Sequence, residues 1–375
     1  MKVVFWVRTG NKYGGFEKFI ALFAELCKVR GHEFTLLSEI ENTSKVFIDR
    51  LSSSNAKTFV VGESLKSPIA TYHKAVNFLK KVQPDIVNLH FINSSAIPLM
   101  KSVGIPLIYQ TYHSCINHSI SLRTKILRGI DNSFADRIFA VSNQIKQDQI
   151  RAGIKEELIE IVPLGVYMPD FEGENKILKD NYPPYWDSKD YKKIITIGRF
   201  YPVKGMRFVV EAAICVLQKR ENVVWWLVGK DGPESIVCRQ MIADAGLSNK
   251  IIFLGERNDV PALISQSEFQ VIGSLSEGLG LMVLEASACG IPTIGTRVGG
   301  LCEVIIDGKT GILVESGSSQ ALANATIRLL DNPQEKERYG HKAKQHLMDK
   351  FNSEKQINQL LDIYEKDYRK KLLND

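Results

Sequence analysis

The sequence predicts an α/β protein made of two doubly wound, parallel-sheet units in tandem. Short apolar runs alternate with segments of helical period in the first half, and this rhythm restarts after a proline-rich stretch at residues 163–190. The length of 375 residues is sufficient for two domains of ordinary size. Short apolar strands separated by helices indicate parallel sheets that are covered on both faces.

The first half opens with an apolar run at residues 2–8, followed by a glycine-rich turn that ends at Gly15. The apolar residues from Phe16 to Cys27 recur at helical spacing, and Gly31 is placed to end that helix. The strands predicted in this half are residues 2–8, 34–37, 85–91, 106–111 and 137–141.

Residues 163–190 contain four prolines among many charged and aromatic residues, which predicts a linker with an irregular segment. The strands predicted after it are residues 193–198, 223–229, 251–254, 269–273 and 292–295. A last helix is predicted at residues 353–373, with an apolar stripe that must be buried.

Composition excludes several classes of protein. With 44% hydrophobic and 24% charged residues, the chain is not disordered, and no apolar run approaches the ~18 residues of a membrane span. The N-terminal apolar run is too short for a signal peptide and is expected to form the first strand. The six cysteines form no regular framework, which favours free thiols in a reducing cytoplasm.

The net charge of +6 is uneven along the chain. Residues 1–165 hold 21 basic and 14 acidic residues, whereas residues 166–375 are close to neutral at −1. A basic half can face nucleic acid, an anionic membrane or an anionic substrate, or can simply be solvated. These alternatives stay open on charge alone.

Several common signatures are absent. No Gly-x-Gly-x-x-Gly follows a strand, and the P-loop-like Gly308-Lys309-Thr310 has Glu303 where the first glycine would stand. The seven histidines include no i, i+4 pair, and Asp-x-Asp does not occur. The sequence therefore predicts no built-in metal site.

The most informative segment runs from residue 273 to residue 300. Glu277 lies in a glycine-rich loop directly before a predicted helix, and Glu285 lies within that helix, eight positions later. Two carboxylates so placed can accept hydrogen bonds from the hydroxyls of a ligand, and the helix N-terminus favours an anionic group. The segment predicts a site for a polyhydroxylated, anionic ligand.

Further motifs surround this segment in the sequence. They are Gly14-Gly15-Phe16-Glu17, Gly198-Arg199 with Lys204-Gly205, Val228-Gly229-Lys230, Phe253-Leu254-Gly255, the Glu277–Glu285 pair, and Gly299-Gly300 with Glu303. In this order they resemble the retaining GT-B glycosyltransferases of family 4, whose signature is Glu-x7-Glu. The resemblance covers nearly the whole chain, but Pro163-Leu164-Gly165-Val166-Tyr167 departs from the Pro-Asn-Gly-Val-Asp that is frequent there.

The resemblance implies a GT-B fold of two Rossmann-like domains that face each other across a cleft. It implies an acceptor-side domain at residues 1–165, a nucleotide-sugar-binding domain at residues 170–350, and a C-terminal helix, residues 353–375, that crosses back onto the first domain. Leu360, Leu361 and Tyr364 are expected to be buried by that crossing.

The resemblance also implies roles at the donor site, which needs no metal. Arg199 and Lys204 would bind the pyrophosphate, Glu277 the donor sugar and Glu285 the ribose. The other residues implied in donor binding are Gly14, Gly15, Arg257, Asn258, Leu279, Gly280 and Leu281. His113 would be the active-site histidine and, with Glu277, is the catalytic candidate, while His90 is given no role beyond lining the cleft.

The implied function is transfer of a sugar from a UDP- or GDP-linked donor to an acceptor hydroxyl with retention of configuration. A cell-surface polysaccharide, lipopolysaccharide or glycolipid is the expected product. A soluble small-molecule acceptor and a non-catalytic, two-lobed sugar-binding protein are the alternatives. The chain is expected to be cytoplasmic, with peripheral attachment to an anionic inner membrane face as an open possibility, and not to bind nucleic acid.

Overall fold

A computed structural model describes residues 1–8, 14–41, 44–62, 67–116, 119–168 and 182–374. Contacts divide the chain into two compact units, Met1–Tyr167 with Ser353–Asp375, and Met168–Asn352. Most of the predicted turn before Gly14, and residues 169–181 of the predicted linker, lie outside the described residues.

The first unit alternates strands and helices. Its elements, up to Tyr167, are β1 (Lys2–Val7), α1 (Gly15–Val29), β2 (Glu33–Ser38), α2 (Lys45–Ser53), β3 (Lys57–Val60), α3 (Pro68–Val82), β4 (Ile86–His90), α4 (Ala96–Ser102), β5 (Leu107–Tyr112), α5 (Leu122–Ser133), β6 (Arg137–Ala140), α6 (Asn143–Arg151) and β7 (Ile159–Ile161). The strands pair in parallel in the order β3-β2-β1-β4-β5-β6-β7. Because strand order reverses between β1 and β4, the loops after these strands diverge and leave a crevice at their carboxyl ends.

The second unit repeats this plan. Its elements are β8 (Lys192–Ile197), α7 (Met206–Leu217), β9 (Val223–Val228), α8 (Ser235–Asp244), β10 (Ile251–Gly255), α9 (Val260–Ser265), β11 (Phe269–Ile272), α10 (Leu281–Ala288), β12 (Thr293–Thr296), α11 (Leu301–Val304), β13 (Gly311–Val314), α12 (Ser319–Asp331) and α13 (Pro333–Lys350). The parallel order is β10-β9-β8-β11-β12-β13. All six residues of β9 are buried, including Trp225 and Trp226, as expected for a strand covered by helices on both faces.

The last helix, α14 (Ser353–Asn374), belongs to the first unit. Leu360, Leu361 and Tyr364 are buried there. The Tyr364 hydroxyl accepts a hydrogen bond from Asn88 Nδ2 of β4 at 2.6 Å, and Arg30 at the end of α1 pairs with Asp362 at 2.6 Å. The apolar stripe seen in the sequence thus forms part of the core of the first unit.

The predicted fold class, two Rossmann-like α/β domains with parallel sheets, is confirmed by these two sheets. Three strands were not predicted: β3, β7 and β13. Each has only three or four residues. Every residue of β3 is exposed and β7 has a glutamate between two isoleucines, so neither carries a continuous apolar run, whereas β13 is apolar but short. In the part of the chain that the structure describes, no helix is long and apolar enough to cross a membrane.

Candidate functional site

Two loops of the second unit meet at the carboxyl edge of its sheet. One follows β8 and carries Lys204, and the other follows β11 and carries Glu277. Because β8 and β11 are neighbours in the sheet, Lys204 Nζ lies 2.5 Å from Glu277 Oε2, and Ser274 Oγ donates to the same oxygen at 3.3 Å. The structure therefore joins two of the predicted site residues directly.

Glycines allow these loops to approach each other so closely. Gly205 has a φ of +59°, and a Cβ at that position would lie 2.0 Å from the carbonyl oxygen of Gly273. The Glu277 loop is held in turn by Gly299 and Gly300. The Gly300 amide donates to the Glu277 carbonyl oxygen at 2.9 Å. A Cβ on Gly299 would lie 2.1 Å from that oxygen, so any side chain there would displace the loop.

The helix α10 begins directly after this loop. Gly280, at a φ of +92°, precedes its first residue, Leu281, and Leu279 beside it is buried. Glu285 lies one turn into α10 and is half-buried. The helix N-terminus, with its positive dipole end, thus adjoins the pair formed by Lys204 and Glu277.

The two arginines of the predicted donor site are held differently. Arg199 follows β8 and is exposed, with its guanidinium 5.3 Å from the ring centre of Tyr201. Arg257 follows β10 and makes a bidentate ion pair with Asp259, at 2.8 and 2.5 Å, beside the exposed Asn258. Asp259 therefore fixes the orientation of Arg257 and offsets its charge.

His113 belongs to the first unit, where it follows β5. Residues His90 of β4 and Thr111 of β5 are in register, and this register places His90 Nδ1 3.0 Å from His113 Nε2. His90 is buried, and the His113 ring packs against Phe91 and Phe16 at centroid distances of 4.4 and 5.0 Å. Phe16 follows Gly14 and Gly15, so the start of α1 lies beside His113.

Burial keeps both imidazoles neutral. It lowers the pKa of His113 to about 3, and burial, followed by the proximity of His113, lowers the pKa of His90 well below its usual range. One ring donates to the other through one nitrogen of each, and each ring has a second nitrogen outside this contact. Within the part of the chain that the structure describes, those nitrogens, His90 Nε2 and His113 Nδ1, are buried without a hydrogen-bond partner.

The histidine pair was only half predicted. From the sequence, His113 was assigned a role and His90 none beyond lining the cleft, although His90 is the last residue of β4 and His113 directly follows β5. The available signal was a histidine at the carboxyl end of each of two strands, but its use required knowing that β4 and β5 are neighbours in the sheet.

A cavity of about 560 Å³ opens at this edge of the first sheet. Its basic wall is formed by Arg8, which pairs with Glu39 at 2.8 Å, and by Arg128, which donates to Gln149 at 2.5 Å. The remaining lining residues are Tyr72, Phe91, Ile92, Asn93, Ser94, Ser95, Gln110, Thr111, Tyr112, His113 and Ser114. A polar or anionic ligand is therefore the kind of molecule that suits it.

Gly14 lies at the start of α1, and its amide donates to Glu17 Oε2 at 3.1 Å. The structure thus brings together Lys204, Glu277 and the start of α10 in the second unit, and His113 and the start of α1 in the first. The described residues contain no group of three or more His, Cys, Asp or Glu side chains that could hold a metal ion.

Comparison with known proteins identifies the family. Residues 13–168 match the model of Glycosyltransferase Family 4, and residues 180–346 match that of Glycosyl transferases group 1. The chain is 36% identical over 180 residues to N-acetyl-alpha-D-glucosaminyl L-malate synthase of Bacillus anthracis, a match that covers 48% of the chain and 47% of that relative. The chain thus spans about half the length of this relative.

A second relative matches over more of its length. It is the UDP-Gal:alpha-D-GlcNAc-diphosphoundecaprenol alpha-1,3-galactosyltransferase of Escherichia coli, 24% identical over 80% of the chain and 79% of the relative. Among solved structures, Anabaena HepE in complex with UDP and glucose superposes with a TM-score of 0.82 at 21% identity, over 98% of this chain and 100% of that one. With both family models matched in order and both sheets of the fold present, the chain belongs to the GT-B glycosyltransferases of family 4.

Proposed function

We propose that this glycosyltransferase moves a sugar from a nucleoside diphosphate sugar to an acceptor hydroxyl, with retention of configuration at the anomeric carbon. The observation that carries the proposal is the contact between Lys204 and Glu277 at the start of α10. The contact supports the proposal because a cation that suits a pyrophosphate and a carboxylate that suits sugar hydroxyls lie within one small region of the second unit.

The pyrophosphate binds to the cations of Arg199 and Lys204 and to the N-terminus of α10. As the glycosidic bond breaks, negative charge grows on the leaving diphosphate, and these fixed positive groups stabilise it. The backbone N–H groups of Leu279, Gly280 and Leu281 also stabilise the negative charge on the leaving diphosphate.

The nucleoside of the donor binds beside the pyrophosphate. Glu285 accepts hydrogen bonds from the ribose hydroxyls, while Arg257 and Asn258 contact the base. UDP is the diphosphate we favour, because HepE, which shares the fold, was solved with UDP and glucose, although GDP is the alternative that a screen must include.

We assign the positioning of the donor sugar to Glu277, and His113 of the first unit is the second catalytic candidate. When a diphosphate takes Lys204, the Glu277 carboxylate is released from its ion pair and accepts hydrogen bonds from the sugar hydroxyls. For His113 we propose a hydrogen bond from its neutral ring to a sugar hydroxyl. Positive charge builds up on the sugar ring as an oxocarbenium-like transition state forms, by analogy with glycoside hydrolysis.

For the acceptor, we propose a glycan or glycolipid of the cell surface. The Escherichia coli relative, whose name specifies a diphosphoundecaprenol acceptor, supports this class, and the basic wall of the first-unit cavity suits a phosphate. A soluble acceptor is the second candidate, because the Bacillus anthracis relative is named for L-malate, which is also anionic.

The test begins with thermal shifts in the presence of UDP, GDP and ADP, since a ligand that binds only the folded state raises its stability. Transfer from the sugar form of the stabilising nucleotide to a polyprenyl diphosphate-linked sugar or to L-malate then separates the acceptor classes. The anomeric configuration of the product is measured by NMR. An inverted product, or a protein stabilised by no nucleotide, would overturn the proposal.

We also propose that transfer requires no divalent cation, since Arg199, Lys204 and the α10 dipole supply positive charge at the diphosphate. Rates in EDTA should equal those in buffer. Activity lost in EDTA and restored by Mn²⁺ would contradict this part alone and leave the donor class standing.

A further inference from the structure

The contact between His90 and His113 admits two arrangements of protons. Both rings are neutral, so each carries one N–H and one bare nitrogen. In the first arrangement His90 Nδ1–H donates to His113 Nε2, and the proton of His113 lies on Nδ1. In the second arrangement His113 Nε2–H donates to His90 Nδ1, and the proton of His90 lies on Nε2.

The two arrangements differ in where they leave an N–H group without a partner. The nitrogens outside the contact are His90 Nε2 and His113 Nδ1, and neither has a hydrogen-bond partner among the described residues. One of them is therefore an unpaired donor and the other an unpaired acceptor. Since a buried N–H without a partner is rare in proteins, the location of the unpaired donor decides between the two arrangements.

The two rings differ in their access to the cavity of the first unit. His90 is 1% exposed and packs against the rings of Phe5 and Phe16, at centroid distances of 4.5 and 5.3 Å. His113 lines the cavity, whereas His90 is not among the described residues that line it. A proton on His90 Nε2 would stay unpaired among apolar rings. A proton on His113 Nδ1 belongs to a ring of the cavity wall, where an oxygen of a ligand can supply the missing acceptor.

Phe91 holds the His113 ring as well. It directly follows His90, its φ is +59°, and its ring stacks on His113 with the centroids 4.4 Å and the planes 22° apart. A left-handed backbone is unfavourable for a large side chain, and such strain persists where the surrounding structure imposes it, frequently at functional sites. Two consecutive residues thus contact one ring, His90 through a ring nitrogen and Phe91 through its face.

We propose that His90 is a positioning residue, whose Nδ1–H donates to His113 Nε2 and so fixes His113 as the tautomer with its proton on Nδ1. His113 then acts on the sugar as a hydrogen-bond donor. It is not the base for the acceptor hydroxyl, because its bare nitrogen is occupied by His90. This inference rests on the proposed function only for the ligand that His113 meets, and the tautomer itself is independent of it.

Nitrogen NMR of the full chain with ¹⁵N-labelled histidine tests the tautomer directly, because protonated and bare ring nitrogens resonate in separate regions of the spectrum. The signals of each ring are assigned by their loss in His90→Leu and in His113→Asn. At neutral pH we expect a protonated Nδ1 and a bare Nε2 in both rings. This measurement needs no substrate.

Two substitutions of His90 separate positioning from packing. His90→Leu keeps an apolar side chain of similar size but removes the donor, so His113 is free to carry its proton on Nε2. For the sugar nucleotide that is turned over in the transfer assay above, kcat/KM should fall about tenfold, the effect of one hydrogen bond. His90→Asn restores an N–H donor on a short side chain, and should keep the Nδ1 tautomer of His113 and most of kcat/KM.

His346→Leu in α13 of the second unit is the matched control. The His346 ring is half-buried, packs against Phe351 at a centroid distance of 5.4 Å, and contacts the Glu303 carbonyl oxygen through Nε2 at 3.3 Å. Its replacement should leave the His113 signals and kcat/KM unchanged. Melting temperatures and UDP binding are measured for every variant, so that damage to the fold or to the nucleotide site is distinguished from loss of positioning.

Three results would overturn the proposal. They are a proton on His113 Nε2 in the unchanged protein, an unchanged His113 tautomer in His90→Leu, and equal kcat/KM in the leucine and asparagine variants. If the leucine variant does not fold, the spectrum of the unchanged protein still decides. A chain that turns over no sugar nucleotide but shows the Nδ1 tautomer would refute the proposed function and keep the assignment of His90.

Discussion

Replacing Glu277 by alanine is expected to tighten the binding of free UDP while it slows transfer. In the structure the Glu277 carboxylate lies 2.5 Å from Lys204 Nζ, and a diphosphate that takes this ammonium group must break the contact. The variant removes that competition. It also removes the group we assign to the sugar, so binding of the nucleotide and transfer of the sugar should change in opposite directions.

The size of the effect follows from the burial of the pair. The Lys204 and Glu277 side chains are 14 and 13% exposed. The contribution of this pair therefore lies between that of exposed ion pairs, up to about 1 kcal/mol, and that of buried charged hydrogen bonds, about 1.5–3 kcal/mol. A net cost of about 1 kcal/mol for breaking the pair corresponds to about fivefold higher affinity of the variant for UDP. Loss of sugar positioning by ~1 Å costs ~10²-fold in rate.

Calorimetry with UDP and transfer rates with the sugar nucleotide measure the two effects. Glu268→Ala is the matched control, because Glu268 forms an ion pair with Lys336 but directly precedes β11, at the opposite end of the strand from the Glu277 loop. It should leave both quantities unchanged. Weaker UDP binding by Glu277→Ala would refute the competition and place Glu277 on the nucleotide, and unchanged transfer would refute its role at the sugar.

Three further predictions concern both units. Glu285→Ala should weaken UDP binding by about 1.5–3 kcal/mol, the contribution of a charge-assisted hydrogen bond to the ribose. Calorimetry that finds unchanged UDP affinity would remove Glu285 from the site. Since burial lowers the pKa of His113 to about 3, the unfolded chain takes up a proton below about pH 6.5 that the folded chain does not, so stability is lost as pH falls from about 6.5 toward 3. Urea midpoints at several pH values should show a smaller acid loss in His113→Asn, and an equal loss would contradict the neutral ring. Tyr364→Phe leaves the buried Asn88 amide without its acceptor and should cost about 1–3 kcal/mol, more than Tyr368→Phe at the half-buried end of α14, as thermal and urea unfolding will measure.

Much of the fold could be predicted because most strands are covered on both faces and are therefore continuous apolar runs. β1 and β9 are of this kind. β3 could not be found in this way, since as an edge strand with every residue exposed it has no apolar signature. The start of α10 was predicted correctly, because Gly280 lies directly before a continuous run of helix-forming residues.

The candidate site was predictable as a set of residues but not as a set of contacts. The neighbouring positions of β8 and β11, which bring Lys204 to Glu277, depend on strand order, and a single sequence does not contain that order. The same holds for His90 and His113 on β4 and β5. The roles assigned to these residues stay predictions until the variants are measured.

The position of α14 has a consequence for how the chain is made. Asn88 and Tyr364, which form a buried hydrogen bond of the first unit, are 276 residues apart, and the whole of the second unit is synthesised between them. On the ribosome the second unit can therefore fold while the first still lacks α14, with Tyr109 and Asn88 open to solvent where Tyr364 will pack. Nascent chains stalled just after Asn352 should accordingly be engaged by chaperones at the first unit, even though its sheet left the ribosome first.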